Sequence, residues 1–163
     1  MDFKKSKEYI SSHNNETIEY LCKFLPTDTL LFWSDKDDLF AFQKQRWQPL
    51  LDVLNTVFKL NLRPSIGLES TVNNSTINTF AILLRNLSLS ELTGCFLISS
   101  ELKSVLLGLL LTKQKITVAQ AIDAAFLEEI YQNRFWGEDV AAMHARQKSR
   151  QNLESVTEQL KNV

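Results

Sequence analysis

Phe96-Leu97-Ile98-Ser99-Ser100-Glu101-Leu102-Lys103-Ser104-Val105-Leu106-Leu107-Gly108-Leu109-Leu110-Leu111 is the most apolar stretch of the chain. Glu101 and Lys103 interrupt it, so the unbroken apolar run is too short to cross a bilayer. A helix that is apolar on nearly every side and does not span a membrane must be enclosed by protein. The stretch therefore predicts a helix buried in the middle of a helical domain. Ser88-Leu89-Ser90-Glu91 marks its start, because Ser88 and Glu91 have the spacing of a capping box. The spacing predicts one long helix from Leu89 to about Thr112, with a candidate break at Ser99-Ser100.

Working outward, Thr117 and Gln120 form a second capping box, and the helix behind it runs to Trp136. Gly137 then stops it as a C-cap with positive φ. A last, polar helix covers Asp139 to Leu160. Toward the N-terminus, Glu16 to Leu25 has the apolar spacing of a short helix, with Asn14 or Asn15 as N-cap and Pro26 as its stop. Leu39 to Leu60 is helical in pattern but contains Pro49, which predicts a break or kink near Gln45 to Trp47. Thr76 to Arg85 reads as another helix. Thr27 to Trp33 is rich in β-branched and aromatic residues and predicts a strand, with Leu62 to Leu68 as a second short strand to pair with it. The expected fold class is thus mainly α, with about six helices and a small two-strand β element, in a single domain spanning 1–163.

Composition agrees with that class. Only four Gly and three Pro occur in 163 residues, which argues for long helices and against a many-stranded sandwich or barrel. A net charge of −1 gives no reason to expect a nucleic-acid partner. The N-terminal Met1-Asp2-Phe3-Lys4-Lys5 lacks the apolar core of a signal peptide. Cys22 and Cys95 lie in apolar helical patterns and read as small buried hydrophobes, although two cysteines could also form one disulfide. No Cys/His metal spacing is present, and His13 and His144 sit among polar residues. No metal or cofactor is expected.

Catalytic signatures are equally scarce. The sequence has no GxGxxG, no P-loop and no G-x-S-x-G elbow. The one adjacent acid pair is Glu128/Glu129. Neighbouring residues of a helix point about 100° apart, so these two carboxylates cannot easily share a proton or a metal. Asp35, Asp37 and Asp38 lack the spacing of a calcium loop and read as a solvated turn. What remains is Leu127-Glu128-Glu129-Ile130-Tyr131-Gln132-Asn133-Arg134-Phe135-Trp136-Gly137, a helix end with an acid, an amide and large aromatics on one stripe. It reads either as a half-buried helix or as a contact surface with a charged anchor.

Four segments, taken in order, resemble one family. They are Thr27-Asp28-Thr29-Leu30-Leu31, Gln45-Arg46-Trp47-Gln48-Pro49-Leu50-Leu51, Leu102-Lys103-Ser104-Val105, and Thr117-Val118-Ala119-Gln120-Ala121 with Leu127 to Gln132 and Trp136-Gly137. The chain is similar to the F-type ATP synthase assembly chaperones that hold the alpha subunit of the catalytic head. These are known as ATP synthase mitochondrial assembly factor 2 in animals and have relatives in α-proteobacteria. The resemblance covers about Glu16 to the end and only the family's helical C-terminal domain. The family's N-terminal β-rich domain has no counterpart here, so a fragment or a shortened relative is expected. Gln48 departs from the family's usual Asp.

The resemblance implies a non-catalytic, monomeric chaperone that holds the alpha subunit until beta arrives. It would work in the cytoplasm of a bacterium or in the mitochondrial matrix. In the family, an acid eight residues before the Trp is functionally important, and that position here is Glu128. The resemblance makes Glu128, Gln132 and Trp136 candidate partner-binding residues. Read from the residues alone, Glu128 could equally be solvated or paired with Arg134, Gln132 could face water, and Trp136 could pack the helix end onto the core. Trp47 and Pro49 are expected to shape the kink, and Gly137 to cap. The competing reading is a small helical enzyme or ligand-binding domain with an unrecognised site.

Overall fold

The computed structural model describes residues 2–162, and among them the chain forms nine α-helices and no strand. They are α1 (Phe3–Ser12), α2 (Asn14–Phe24), α3 (Asp37–Val57), α4 (Asn74–Arg85), α5 (Leu89–Leu102), α6 (Val105–Thr112), α7 (Val118–Ala125), α8 (Leu127–Trp136) and α9 (Val140–Lys161). The expected six helices with a two-strand β element are therefore overturned.

The β expectation fails at Asp28. Pro26 sits in a single 3-10 turn, Leu25–Thr27, and a second turn covers Thr29–Leu31. Asp28 sets that second turn by accepting from the Leu30 N–H at 3.0 Å. Leu30 and Leu31 are both buried, where a strand with one solvated face would alternate. The two segments do meet, but only through an isolated parallel bridge between Phe32 and Ser65. The Trp33 N–H donates to the Ser65 carbonyl at 2.8 Å, and the Ser65 N–H to the Leu31 carbonyl at 2.7 Å.

Helix α5 is the centre of the domain and packs against α1, α2, α6 and α9. Every residue of α6 is buried, which is what an all-apolar helix requires. The long helix expected over Leu89–Thr112 is in fact two helices, broken at Lys103 rather than at Ser99-Ser100. Lys103 takes a left-handed conformation (φ 58°), and Ser104 caps α6 by accepting from the Leu107 N–H at 3.1 Å. The two helices then fold back on each other closely. A β-carbon on Gly108 would overlap the Ser99 hydroxyl and sit 3.0 Å from the Cys95 carbonyl, so a larger residue there requires its neighbours to move.

Asp28 holds this hairpin to the rest of the domain. Its buried carboxyl takes the Ser104 hydroxyl at 2.9 Å and the Leu106 N–H at 3.1 Å, in addition to the Leu30 N–H. Burial pushes its pKa up to about 6, opposed by these donors.

The two expected capping boxes, at Ser88/Glu91 and Thr117/Gln120, are both formed. Pro49 does not break α3, which runs unbroken through it. Gln45, whose carbonyl would have bonded the missing N–H, is exposed and can be hydrated there. Both cysteines are free thiols: Cys95 is buried and Cys22 partly so. Burial pushes the Cys95 thiol up to about 12, so it behaves as an inert small hydrophobe.

Candidate functional site

The single helix expected from Val118 to Trp136 is divided at Phe126 into α7 and α8. Phe126 lies outside helical geometry (φ −106°, ψ 23°) and ends one helix while beginning the next. The redirection turns α8 out of the core. Leu127 is its one fully buried residue, with Ile130 and Tyr131 partly buried behind it.

Three sets of contacts hold α8 in place. Leu127 anchors its start. Along its flank, Tyr131 packs against Phe42 of α3 at a centroid distance of 5.5 Å, and the Arg134 guanidinium lies 4.6 Å over the same Phe42 ring. From the side of α9, Arg146 pairs with Glu129 in the first turn of α8 at 3.3 Å and with Glu138 beyond its end at 3.8 Å. Asn133 joins this clamp. In the amide orientation that suits its neighbours, it donates to the Glu129 and Gly137 carbonyls and accepts from Arg146 at 3.3 Å. Gly137 closes α8 with φ 78°, and Asp139 starts α9 by accepting from the Ala141 N–H at 2.9 Å.

The outward face of α8 carries Glu128, Gln132 and Phe135 at i, i+4 and i+7, with Trp136 beside them. All four are exposed, Phe135 to 64% and Trp136 to 86%. Trp136 thus does not pack the helix end onto the core. Glu128 has no ion-pair or hydrogen-bond partner among the described residues, so the pairing with Arg134 does not form. It is Glu129, on the inner side, that is committed to the fold. Val140 and Met143, just past the corner, are exposed apolar residues too. Large apolar side chains grouped in one exposed segment are a surface suited to covering by another molecule.

Trp47 has a different place. It is 1% exposed, and its indole N–H donates to the Ala124 carbonyl at 3.0 Å, tying α3 to the last turn of α7. It therefore sets the point from which α8 departs. The sequence pattern put Trp47 in a core but held no sign of this distant acceptor.

Two cavities lie elsewhere. One of about 320 Å³ is lined by Tyr20, Phe24, Asp28, Ser104 and neighbours, and another of about 270 Å³ by Tyr9, His13, Glu16 and Phe96. Neither includes a residue of α8. The Asp28 carboxyl in the first is already taken by Leu30, Ser104 and Leu106. Among the described residues no group of three His, Cys, Asp or Glu is placed to hold a metal ion, and no helix is long and apolar enough to cross a membrane.

No family model matches the sequence. Solved structures do match the fold. Atp12 from Paracoccus denitrificans superposes with a TM-score of 0.88 at 20% identity, over 96% of this chain and 68% of that one. A point variant of the Paracoccus protein gives the same values. A candidate chaperone from Agrobacterium tumefaciens superposes with a TM-score of 0.84 at 25% identity, over 93% of this chain and 58% of that one. The chain spans somewhat more than half the length of the proteins it superposes on. In three dimensions, this chain has the fold of the part of Atp12 on which it superposes.

Proposed function

We propose that this protein is a non-catalytic chaperone for assembly of the ATP synthase catalytic head, and that it holds the unassembled alpha subunit until that subunit pairs with beta. The observation that carries this reading is the outward face of α8, where an unpaired acid stands among exposed aromatics on a chain with the Atp12 fold. An orphan subunit presents apolar surface that otherwise self-associates. A holder must cover that surface reversibly, which suits a modest apolar patch with a charged group to fix the register.

Glu128 is the anchor in this reading. Gln132 extends the polar contact by one turn, and Trp136 with Phe135 supplies the apolar area. Trp47 and Gly137 are structural, the first by fixing where α8 begins and the second by ending it. The holder acts as a monomer, in the bacterial cytoplasm or the mitochondrial matrix according to its source.

Co-purification of the isolated alpha subunit with wild type and with Glu128→Lys tests the reading. Charge reversal at a contact is expected to lower affinity by about tenfold or more, with the melting curve unchanged. Equal capture by both proteins would remove Glu128 from the interface. No capture by a folded wild type would overturn the alpha-subunit assignment.

A further inference from the structure

Two arginines stand over one aromatic ring at the edge of the α8 face. The guanidinium carbon of Arg46 lies 4.9 Å from the centroid of Phe42, and that of Arg134 lies 4.6 Å from the same centroid. Phe42 is buried at 6% exposure, and Tyr131 and Phe135 continue the aromatic cluster outward, 5.3 Å apart. Among the described residues neither guanidinium has a carboxylate within ion-pair distance. Arg146 and Arg150 are paired with glutamates, whereas Arg46 and Arg134 stand together at one ring with no carboxylate beside them. The chain carries 19 acids to 18 basic residues, so the absence of a partner here is a matter of placement and not of supply.

Two like charges sharing one ring repel each other. The quadrupole of Phe42 offsets part of that repulsion, but an anion would offset more. A guanidinium that uses its face against a ring still has its in-plane N–H donors available, and those donors match a carboxylate. We propose that Arg46 and Arg134 form a receiving site for an Asp or Glu side chain carried by a protein segment that lies across α8. Resting on the reading of α8 as the alpha-subunit surface, the segment belongs to the alpha subunit.

Charge complementarity selects this occupant. Glu128 and Arg134 are six residues apart and so project about 120° apart around the helix, with Tyr131 and Phe135 between them. The surface is negative at one edge, apolar in the middle and positive at the other. A partner that fits it presents a basic group toward Glu128, apolar side chains over the aromatics and an acid at the arginine pair. Such a pattern fixes direction as well as position. A polyanion fits poorly, because Glu128 repels it and two cations are too few to hold it.

The test uses the whole chain as wild type, R46Q/R134Q and R46K/R134K. Binding to the isolated alpha subunit is measured at low and high salt. In parallel, an acetylated tetra-glutamate peptide is titrated into each protein while the arginine Nε–Hε NMR signals are followed. The glutamine pair is expected to bind alpha about tenfold or more weakly, with a flatter salt dependence, and the lysine pair to recover part of the loss. The peptide is expected to shift the Arg46 and Arg134 signals before others.

Unchanged alpha binding by a folded R46Q/R134Q, with no peptide shift at either arginine, overturns the site. Should the glutamine pair not fold, the lysine pair and the wild-type titration decide. If wild type does not bind alpha at all, the alpha-subunit reading fails, and the peptide titration alone judges the arginine site: shifts keep it and their absence removes it. Displacement of the peptide by a single-stranded oligonucleotide at these two arginines would overturn the acidic-protein occupant.

Discussion

Replacing Asp28 with asparagine changes the hydrogen bonds at the centre of the domain while keeping the size of the side chain. The wild-type carboxyl serves two backbone N–H groups, of Leu30 and Leu106, and the Ser104 hydroxyl. When protonated, it can donate to Ser104 and still accept from both amides. Asparagine cannot, because its NH2 faces one of those amides and leaves it unpaired in a buried site. One stranded buried amide costs about 1–3 kcal/mol.

The pH dependence sharpens this prediction. The pKa of Asp28 rises from 3.8 to about 6 on folding. The folded protein therefore binds this proton more tightly than the unfolded chain does. The stability linked to it is fully present below about pH 4 and is lost as pH rises through about 6, a change of about 3 kcal/mol at 1.36 kcal/mol per unit. The amide of D28N carries no such proton. In urea unfolding at a series of pH values, D28N is expected to be less stable than wild type by about 1–3 kcal/mol near pH 4, with the gap closing or reversing by up to about 2 kcal/mol at neutral pH. Subtracting the two curves removes the other carboxylates, including Glu91, which Lys113 and the Ser88 amide hold below its usual range against the upward push of burial. A gap that stays constant, or widens toward neutral pH, would show that the anion itself stabilises the fold and would refute the reasoning.

Two other predictions follow from the way α8 is mounted. Trp47→Phe keeps most of the buried ring but strands the Ala124 carbonyl, and is expected to cost about 1–3 kcal/mol in chemical denaturation, with faster amide exchange at the α7–α8 junction. Arg146→Ala removes the link from α9 to Glu129 and Glu138, and is expected to speed hydrogen exchange in α8 while leaving α5 and α6 protected. Equal acceleration in α5 would mean that Arg146 supports the whole domain and not the corner.

The legible parts of the fold were those set by local chemistry. Ser88/Glu91 and Thr117/Gln120 are capping boxes in sequence and in space, because every partner lies within three residues. The apolar run through Leu111 had no alternative to burial. The errors came from partners distant in sequence. Thr27 to Trp33 has strand composition, but Asp28 bonds to Ser104 and Leu106 at the start of α6, and nothing local announces that. The break at Lys103 follows from the same contact. Helix α1 is polar overall and fully buries only Ile10, with Phe3 packed partly beside the core; its local signal was Asp2, which caps it by accepting from the Lys5 N–H. At the candidate site, the stripe of Glu128, Gln132 and Phe135 was readable from spacing. The outward turn at Phe126, which exposes Trp136, was not, because Phe126 reads as a helical apolar residue.

The shallow seating of α8 also bears on how this surface can evolve. Leu127 is its only fully buried residue, and the remaining ties run through Tyr131, Arg134, Glu129 and Asn133. Positions 128, 132, 135 and 136 lie outside that set, and substitutions at exposed sites of this kind usually change stability by less than about 0.5 kcal/mol. Selection can therefore rewrite the outward face of α8 to follow changes in a partner without endangering the domain that carries it. Drift should be wide at those four positions when the partner varies and narrow at Leu127 and Arg146 whatever the partner does.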